Sequence, residues 1–441
     1  MASDLKPSLP YPNSSLSYWH RTTRSFPLLN SNDTAPVPEE SAYVIIGAGL
    51  TGALTAFSLL EAGIKGSDIL IIEAREVVSG STGRNAGHCR PDGFRNFNGY
   101  AARHGKEQAL KIANMEDRNF SLAKEFINKH HIACEFTTTK TFDVCFSDET
   151  AEDESKNLNE YIAAGGRADA VQVYEGEKAR EATGFEGATA AYEWNAAFLH
   201  PVKLAHWVLE TAAGRGVRLW THCPVTSISA GEKGKWVLQT PRGSIASKKV
   251  IHCTNSHAGV LLPQISVGDL VPIRGQVHAL VPSRAHSGHR RIEASLALRT
   301  SLRNFYAVIQ TAGDGTIIFT VARSTGVTFD ETSYDEEVAK EAQERFQTFF
   351  PPGVEASSLH GEGLDHAWTG LLAFTPDKVP YVGEIPELPG QYICAGFNGH
   401  GISNIFAVVS GLVKLIQGGT WEETSLPECF GYSAERLKSR V

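Results

Sequence analysis

Apolar residues follow two rhythms along this chain: short unbroken runs that suit buried strands, and three-four spacings that suit helices. Residues 43–46 form an apolar run, GAGLTG follows directly, and Leu50, Leu54, Phe57 and Leu60 then recur at helical spacing. A second run, 69–72, ends in Glu73. The pattern predicts strand, glycine turn, helix and strand in succession. Leu110, Ile112, Met115, Leu122 and Phe126 then mark an amphipathic helix over 105–130. Residues 136–146 alternate as strands do, and 148–164 read as a polar helix stopped by Gly165 and Gly166. Pro201 opens a helix that carries Trp207 and Leu209 and stops at 214–216. Residues 217–220 and 250–254 read as short strands, with a hairpin from 225 to 240 between them. Strands at 272–280, 305–310 and 316–321 precede a helix at 336–350. Residues 392–415 return to the opening order of strand, glycine turn and apolar helix.

The fold class this implies is α/β and α+β: a Rossmann-like dinucleotide domain interleaved with an antiparallel-sheet substrate domain. A chain of 441 residues is longer than one simple core requires and suits two domains. Residues 1–40 are rich in Pro, Ser and Asn and form an arm, with Tyr18 and Trp19 as anchors. The dinucleotide domain is expected at 41–100, 190–262 and 363–441, and the substrate domain at 101–189 and 263–362.

The chemistry of the first unit follows from its spacing. Gly47 allows the tight turn out of the strand, Gly49 lets backbone N–H groups approach a pyrophosphate, and Gly52 lets the helix lie close on the sheet. Leu50 and Thr51 open that helix, whose N-terminus favours phosphate. Glu73, followed by Ala74, sits where a carboxylate accepts hydrogen bonds from ribose hydroxyls. This fingerprint leaves NAD and FAD both open. The loop after it, 78–94, is glycine-rich and polar and should cross the cofactor, because loops past strand C-termini line the crevice.

Composition excludes several classes. A net charge of −8 argues against non-specific nucleic-acid binding. The seven cysteines show no C-x-x-C pair, which argues against a zinc site or disulfide framework and fits a reducing compartment. No metal site is expected. The N-terminus lacks a signal-peptide core, and no apolar run is long enough to span a bilayer. A cytoplasmic location is expected, with a variant peroxisomal address left open by the KSRV ending. Oligomeric state is not legible.

Several motifs together resemble the D-amino-acid oxidase (DAO) superfamily of FAD-dependent amine and amino-acid oxidoreductases. They are GAGLTG with Glu73, the GSTGRNAG loop, FLHPVKL followed by PVTSI, PIRGQ, WTGLLAFTPDKVPYVG and AGFNGHG. They span about residues 17–419, and the loop and SYW start look most like the gamma-glutamylputrescine oxidase branch. AGFNGHG also looks like the monomeric sarcosine oxidase branch. The resemblance implies a glutathione-reductase-like FAD domain and FAD rather than NAD. It assigns Val225 to the adenine side. It places Ser81, Thr82, Arg84, Asn85, Ala86 and Gly87 along the flavin, with Asn398, Gly399, His400 and Gly401 beside the ring and ribityl chain.

Departures from the family pattern sharpen the expectation. Arg84 stands where some relatives carry a flavin-linking histidine, and Gly370 falls near the linking cysteine of sarcosine oxidases. Non-covalent FAD follows, with His88 and Cys89 as the neighbouring alternatives for attachment. Phe319 takes the place of a lysine linked to oxygen reactivity, and Ser403 that of a lysine binding a small amino acid's carboxylate. The implied activity is hydride transfer from an amine or amino-acid-like substrate to flavin, giving an imine, with O2 or another acceptor reoxidising the flavin. Such chemistry needs positioning groups rather than a nucleophile, and no G-x-S-x-G context is present. His88 and Arg90, just past the flavin loop, are candidate substrate contacts, as are Arg323 and the wall residue Trp368. The alternatives are an NAD-dependent dehydrogenase and a non-catalytic flavin-binding protein.

Overall fold

The computed structural model describes residues 5–321, 326–351 and 359–438. Its centre is the strand Glu40–Ile46, which is flanked on both sides by parallel partners, Ile69–Ile72 and Gly243–His252. Arg218–Trp220 extends this sheet at one edge, and Gln391–Ala395 followed by antiparallel Tyr381–Glu384 extends it at the other. The inner strands are apolar because both faces are covered. Ile69–Ile72 is buried throughout, and the helices Leu50–Glu61, Pro201–Gly214 and Ile405–Ile416 pack together into one large core. A hairpin of Ser227–Ala230 and Trp236–Thr240 continues from the strand Gly243–His252.

The second sheet is mixed but mostly antiparallel. Its order runs Gly363–Phe374, Val271–Val281, Ile317–Val321, Phe305–Gln310, Ser295–Arg299, Thr137–Cys145, Ala190–Phe198 and His88–Cys89. Ser295–Arg299 and Thr137–Cys145 pair in parallel. The helix Glu336–Phe349 covers one face, burying Val338, Ala342 and Phe346 against Phe319 and Tyr306. The chain does pass back and forth between the two sheets.

The crossing points differ from the sequence reading. Ala190–Phe198 belongs to the second sheet, so the return to the first falls after Phe198 and not at residue 190. Gly363–Phe374 likewise pairs along its length with Val271–Val281 rather than opening the last dinucleotide segment. Both strands carry several small residues, so their apolar runs do not stand out without the partner strands that complete the sheet. The arm folds a short helix, Tyr18–Arg21, capped by Ser17, and buries Trp19 completely. The Trp19 Nε1–H donates to the Asn85 carbonyl (2.7 Å), tying the arm to the loop of the first domain.

Candidate active site

A cavity of about 800 Å³ lies between the two sheets, at the C-terminal ends of the parallel strands. That volume is in the upper part of the range of about 300–1,000 Å³ usual for small-molecule and cofactor sites. The first wall is the glycine turn. Gly47 has φ +108°, and a Cβ there would stand 2.6 Å from the Cys253 carbonyl oxygen. Gly49 caps the helix Leu50–Glu61 without any side chain, so the helix N-terminus faces the cavity. Leu50, Thr51, Glu73 and Ala74 also line it. The Glu73 carboxylate accepts from the backbone N–H of Ala48 (2.8 Å) and of Arg75 (3.0 Å), which fixes the turn as well as presenting the acid. Gly52 does not reach the cavity. A Cβ there would lie 2.0 Å from the Gly47 carbonyl, so its absence lets helix and turn touch.

The second wall is the loop after Glu73. Ser81, Thr82, Arg84, Asn85 and Ala86 line the cavity. Thr82 Oγ1 accepts from the Leu50 N–H (3.0 Å), and Asn85 closes the loop on itself through Thr82 and Gly87. Gly87 packs away from the cavity, with Trp19 and the Leu199 carbonyl where a Cβ would go. Arg84 is buried and donates to the carbonyls of Ser79 (2.8 Å) and Thr369 (2.8 Å) and to Ser14 Oγ (2.5 Å). Its role is therefore to hold the loop, the arm and the second sheet together.

Val225 lines the cavity beyond Glu73, and Asn398, Gly399, His400 and Gly401 line it from the C-terminal glycine turn. Asn398 sits at φ +52° and closes that turn, donating to the Gly396 carbonyl (2.7 Å) and accepting from the Thr375 N–H (2.9 Å). The sequence reading missed the segment Thr254–His257, which lines the cavity from the end of the strand Gly243–His252. The rule that ligands gather at parallel-strand C-termini was the available signal.

On the side of the second sheet, His88, Arg90, Asp92, Arg95, Phe305 and Thr320 share the cavity. Arg90 is buried, pairs with the fully buried Asp143 and lies 4.8 Å over the Trp194 ring. Arg95 contributes a second pairing to Asp143 (2.8 Å) and one to Asp92 (3.0 Å), while Arg299 approaches Asp143 at 3.9 Å. Burial alone would raise the Asp143 carboxyl, but the guanidiniums of Arg90, Arg95 and Arg299 hold it below the usual carboxylate range. His400 Nε2 stands 3.4 Å from Asp92 Oδ2. His88 Nδ1 bonds Ser295 Oγ (3.0 Å), and burial together with the Arg90 and Arg95 charges lowers its pKa to about 3. At neutral pH it is an uncharged imidazole.

Two expectations are corrected. Trp368 is fully buried, donates to the Arg84 carbonyl (2.9 Å) and belongs to the core, not to the cavity wall. Phe319 points into the core, stacked on Tyr306 and edge-on to Phe346, and the neighbouring Thr320 faces the cavity instead. Strand alternation explains the shift by one residue. Arg323 lies outside the described residues. Ser403 accepts from the Arg90 N–H (3.2 Å) and donates to the Arg90 carbonyl (2.6 Å), so it serves the loop backbone.

The cavity fits a dinucleotide. It runs without interruption from the acid and Val225, past the N-terminus of the helix Leu50–Glu61, to the second sheet. Gly370 also lines it, and a Cβ there would meet Arg84 Cβ at 2.7 Å, leaving no room for a linking cysteine. Cys89 is buried outside the cavity lining, and burial pushes its thiol up to about 12. Among the described residues no cluster suits a metal ion, and no helix is long and apolar enough to cross a membrane.

The chain is similar over most of its length to gamma-glutamylputrescine oxidoreductase of Escherichia coli K12. Identity is 22% over 407 residues, covering 90% of this chain and 89% of that protein. Among solved structures it is similar to L-proline dehydrogenase from P. horikoshii (TM-score 0.69, 22% identity, 89% and 98% coverage). It is also similar to glycine oxidase from Geobacillus kaustophilus (TM-score 0.71, 19% identity, 87% and 96% coverage). The family model for DAO, the FAD dependent oxidoreductases, matches residues 42–410. With the glycine turn, the acid and the second sheet enclosing one cavity, the chain belongs to the DAO family of FAD-dependent oxidoreductases.

Proposed function

We propose that this enzyme oxidises the C–N bond of an amine or amino-acid-like substrate to an imine, and that its substrate carries a carboxylate or similar anion. The observation that carries this reading is Arg90. Its Nη2 is committed to Asp143, while no partner occupies Nη1 among the described residues, and the residue lines the cavity. A guanidinium held on one edge by a buried carboxylate presents its other edge in fixed orientation, which suits an anionic substrate group. The names of the relatives, an oxidoreductase of an amine and enzymes of amino acids, point to the same class.

FAD, when bound non-covalently, would accept the hydride equivalent. The chain's own residues would bind and orient. Arg90 holds the anion, and Phe305 and Thr320 shape the space beside it. His400, next to Asp92, is the group suited to take the amine proton at its imidazole, whereas His88 stays neutral and serves as a hydrogen-bond partner. No lysine is among the described residues that line the cavity, which supports slow reaction with O2 and another physiological acceptor.

The test is anaerobic mixing of purified protein with a panel of amines and amino acids while the visible flavin band is followed. Bleaching by anionic amines, with colour returning slowly in air, is the expected result. Failure of every amine to bleach the flavin would overturn the reading. Fast return of colour with hydrogen peroxide would overturn only the choice of acceptor.

A further inference from the structure

The N-terminal arm does more than decorate the surface, because it bridges both rims of the cofactor cavity. On one rim, the Nδ1–H of His257 donates to the Ser8 carbonyl (2.8 Å), and Pro7 packs where a Cβ on Gly259 would stand (2.9 Å). On the other rim, Arg75 donates to the Tyr11 carbonyl (3.2 Å), and Arg84 donates to Ser14 Oγ (2.5 Å) and Ser15 Oγ (3.3 Å). Between these attachments Leu9 and Pro10 line the cavity itself. His257, Arg75 and Arg84 line it too, so both attachments are at its edge.

The loop that precedes the helix Glu336–Phe349 takes part in the closure. Glu331 is buried, pairs with Arg75 (2.6 Å) and accepts from the Ser15 N–H through its backbone carbonyl (3.1 Å). Arg75 and Arg84 are themselves buried, so the arm supplies acceptors that water cannot reach easily. Leu9 and Tyr11 are also exposed to solvent, as expected of a strap at the surface. A ligand as long as a dinucleotide cannot slide beneath a segment fastened at both edges of its site.

We propose that residues 7–15 are a retaining strap for FAD, which docks after the dinucleotide has entered and must detach before it can leave. The strap makes cofactor exchange slow in both directions, and Ser14 and Ser15 are the positioning residues that latch it to Arg84. This proposal rests on FAD occupying the cavity and is independent of the substrate.

The experiment measures FAD association with apoprotein and FAD release from holoprotein, both by flavin fluorescence. The full-length double variant Ser14→Ala/Ser15→Ala is compared with the unaltered protein. Because hydrogen bonds to a charged group are lost, both rates should rise by about tenfold or more. A variant lacking residues 2–12 should raise both further while retaining the same circular dichroism. Unchanged rates in both variants would overturn the proposal. So would faster release with unchanged or slower association, which is the mark of a distorted site rather than an opened strap. If the truncated chain does not fold, the double variant decides alone. An unaltered protein that takes up no FAD at all would instead overturn the cofactor assignment, and amine turnover plays no part in either outcome.

Discussion

Replacing Asp143 with Asn should damage the protein in two separable ways. Asp143 is fully buried and faces the guanidiniums of Arg90, Arg95 and Arg299. An amide cannot compensate that charge, and the groups left behind cannot reach water. Breaking a buried pair in this way costs about 3–5 kcal/mol. Unfolding entropy of about 2.1 cal/mol/K per residue over 441 residues gives about 0.9 kcal/mol/K for a chain that melts as a unit. The expected fall in melting temperature is therefore about 3–5 °C, read from intrinsic fluorescence with FAD saturating. The second effect is on Arg90, which loses the anchor that orients it. KM for an anionic amine should rise about tenfold, equivalent to about 1.4 kcal/mol, with a much smaller change for an uncharged amine. A melting shift below 1 °C would refute the buried-charge argument. An equal KM change for charged and uncharged amines would refute the role given to Arg90.

Further predictions rest on other parts of the structure. Burial lowers the pKa of His20 and His88 to about 3 and of His252 and His278 to about 4, from an ordinary 6.5. As pH falls below 6.5 the unfolded chain takes up protons first, so each such histidine removes about 1.4 kcal/mol of stability per pH unit until its folded pKa is reached. Melting temperature should fall steadily between pH 6.5 and about 4, and a flat profile down to pH 5 would contradict the neutral buried imidazoles. Gly52→Val should abolish flavin binding, because even a Cβ meets the Gly47 carbonyl at 2.0 Å, and the visible-to-ultraviolet absorbance ratio measures it. Acid precipitation should leave the flavin in the supernatant, and Gly370→Cys should not create a covalent bond, since its Cβ would collide with Arg84. A yellow pellet from the unaltered protein would refute non-covalent binding.

Much of the dinucleotide cradle is local in sequence, which is why it was legible. A strand, a glycine turn and a helix N-terminus are each written in adjacent residues, and Gly47, Gly49 and Glu73 could be placed by spacing alone. The resemblance to the DAO family extended this to the flavin loop and the turn at Asn398–Gly401. What could not be read was set by contacts between distant segments. The strands 190–198 and 363–374 join the second sheet only through long-range pairing. Alternation shows that a strand has two faces but not which one meets the core, so Phe319 and Thr320 exchange roles only once the helix Glu336–Phe349 is in place. Arg90 and Asp143 are 53 residues apart, and their pairing exists only once the fold brings the two segments together.

By itself, then, the sequence determined a dinucleotide fingerprint and the glycine turns around it, because those depend on backbone geometry over a few residues. The tertiary structure alone decided which charges are buried together and that Trp368 serves packing. It also decided that the arm lies across the site. Burial and charge pairing depend on what the rest of the chain brings alongside, and no local pattern records that.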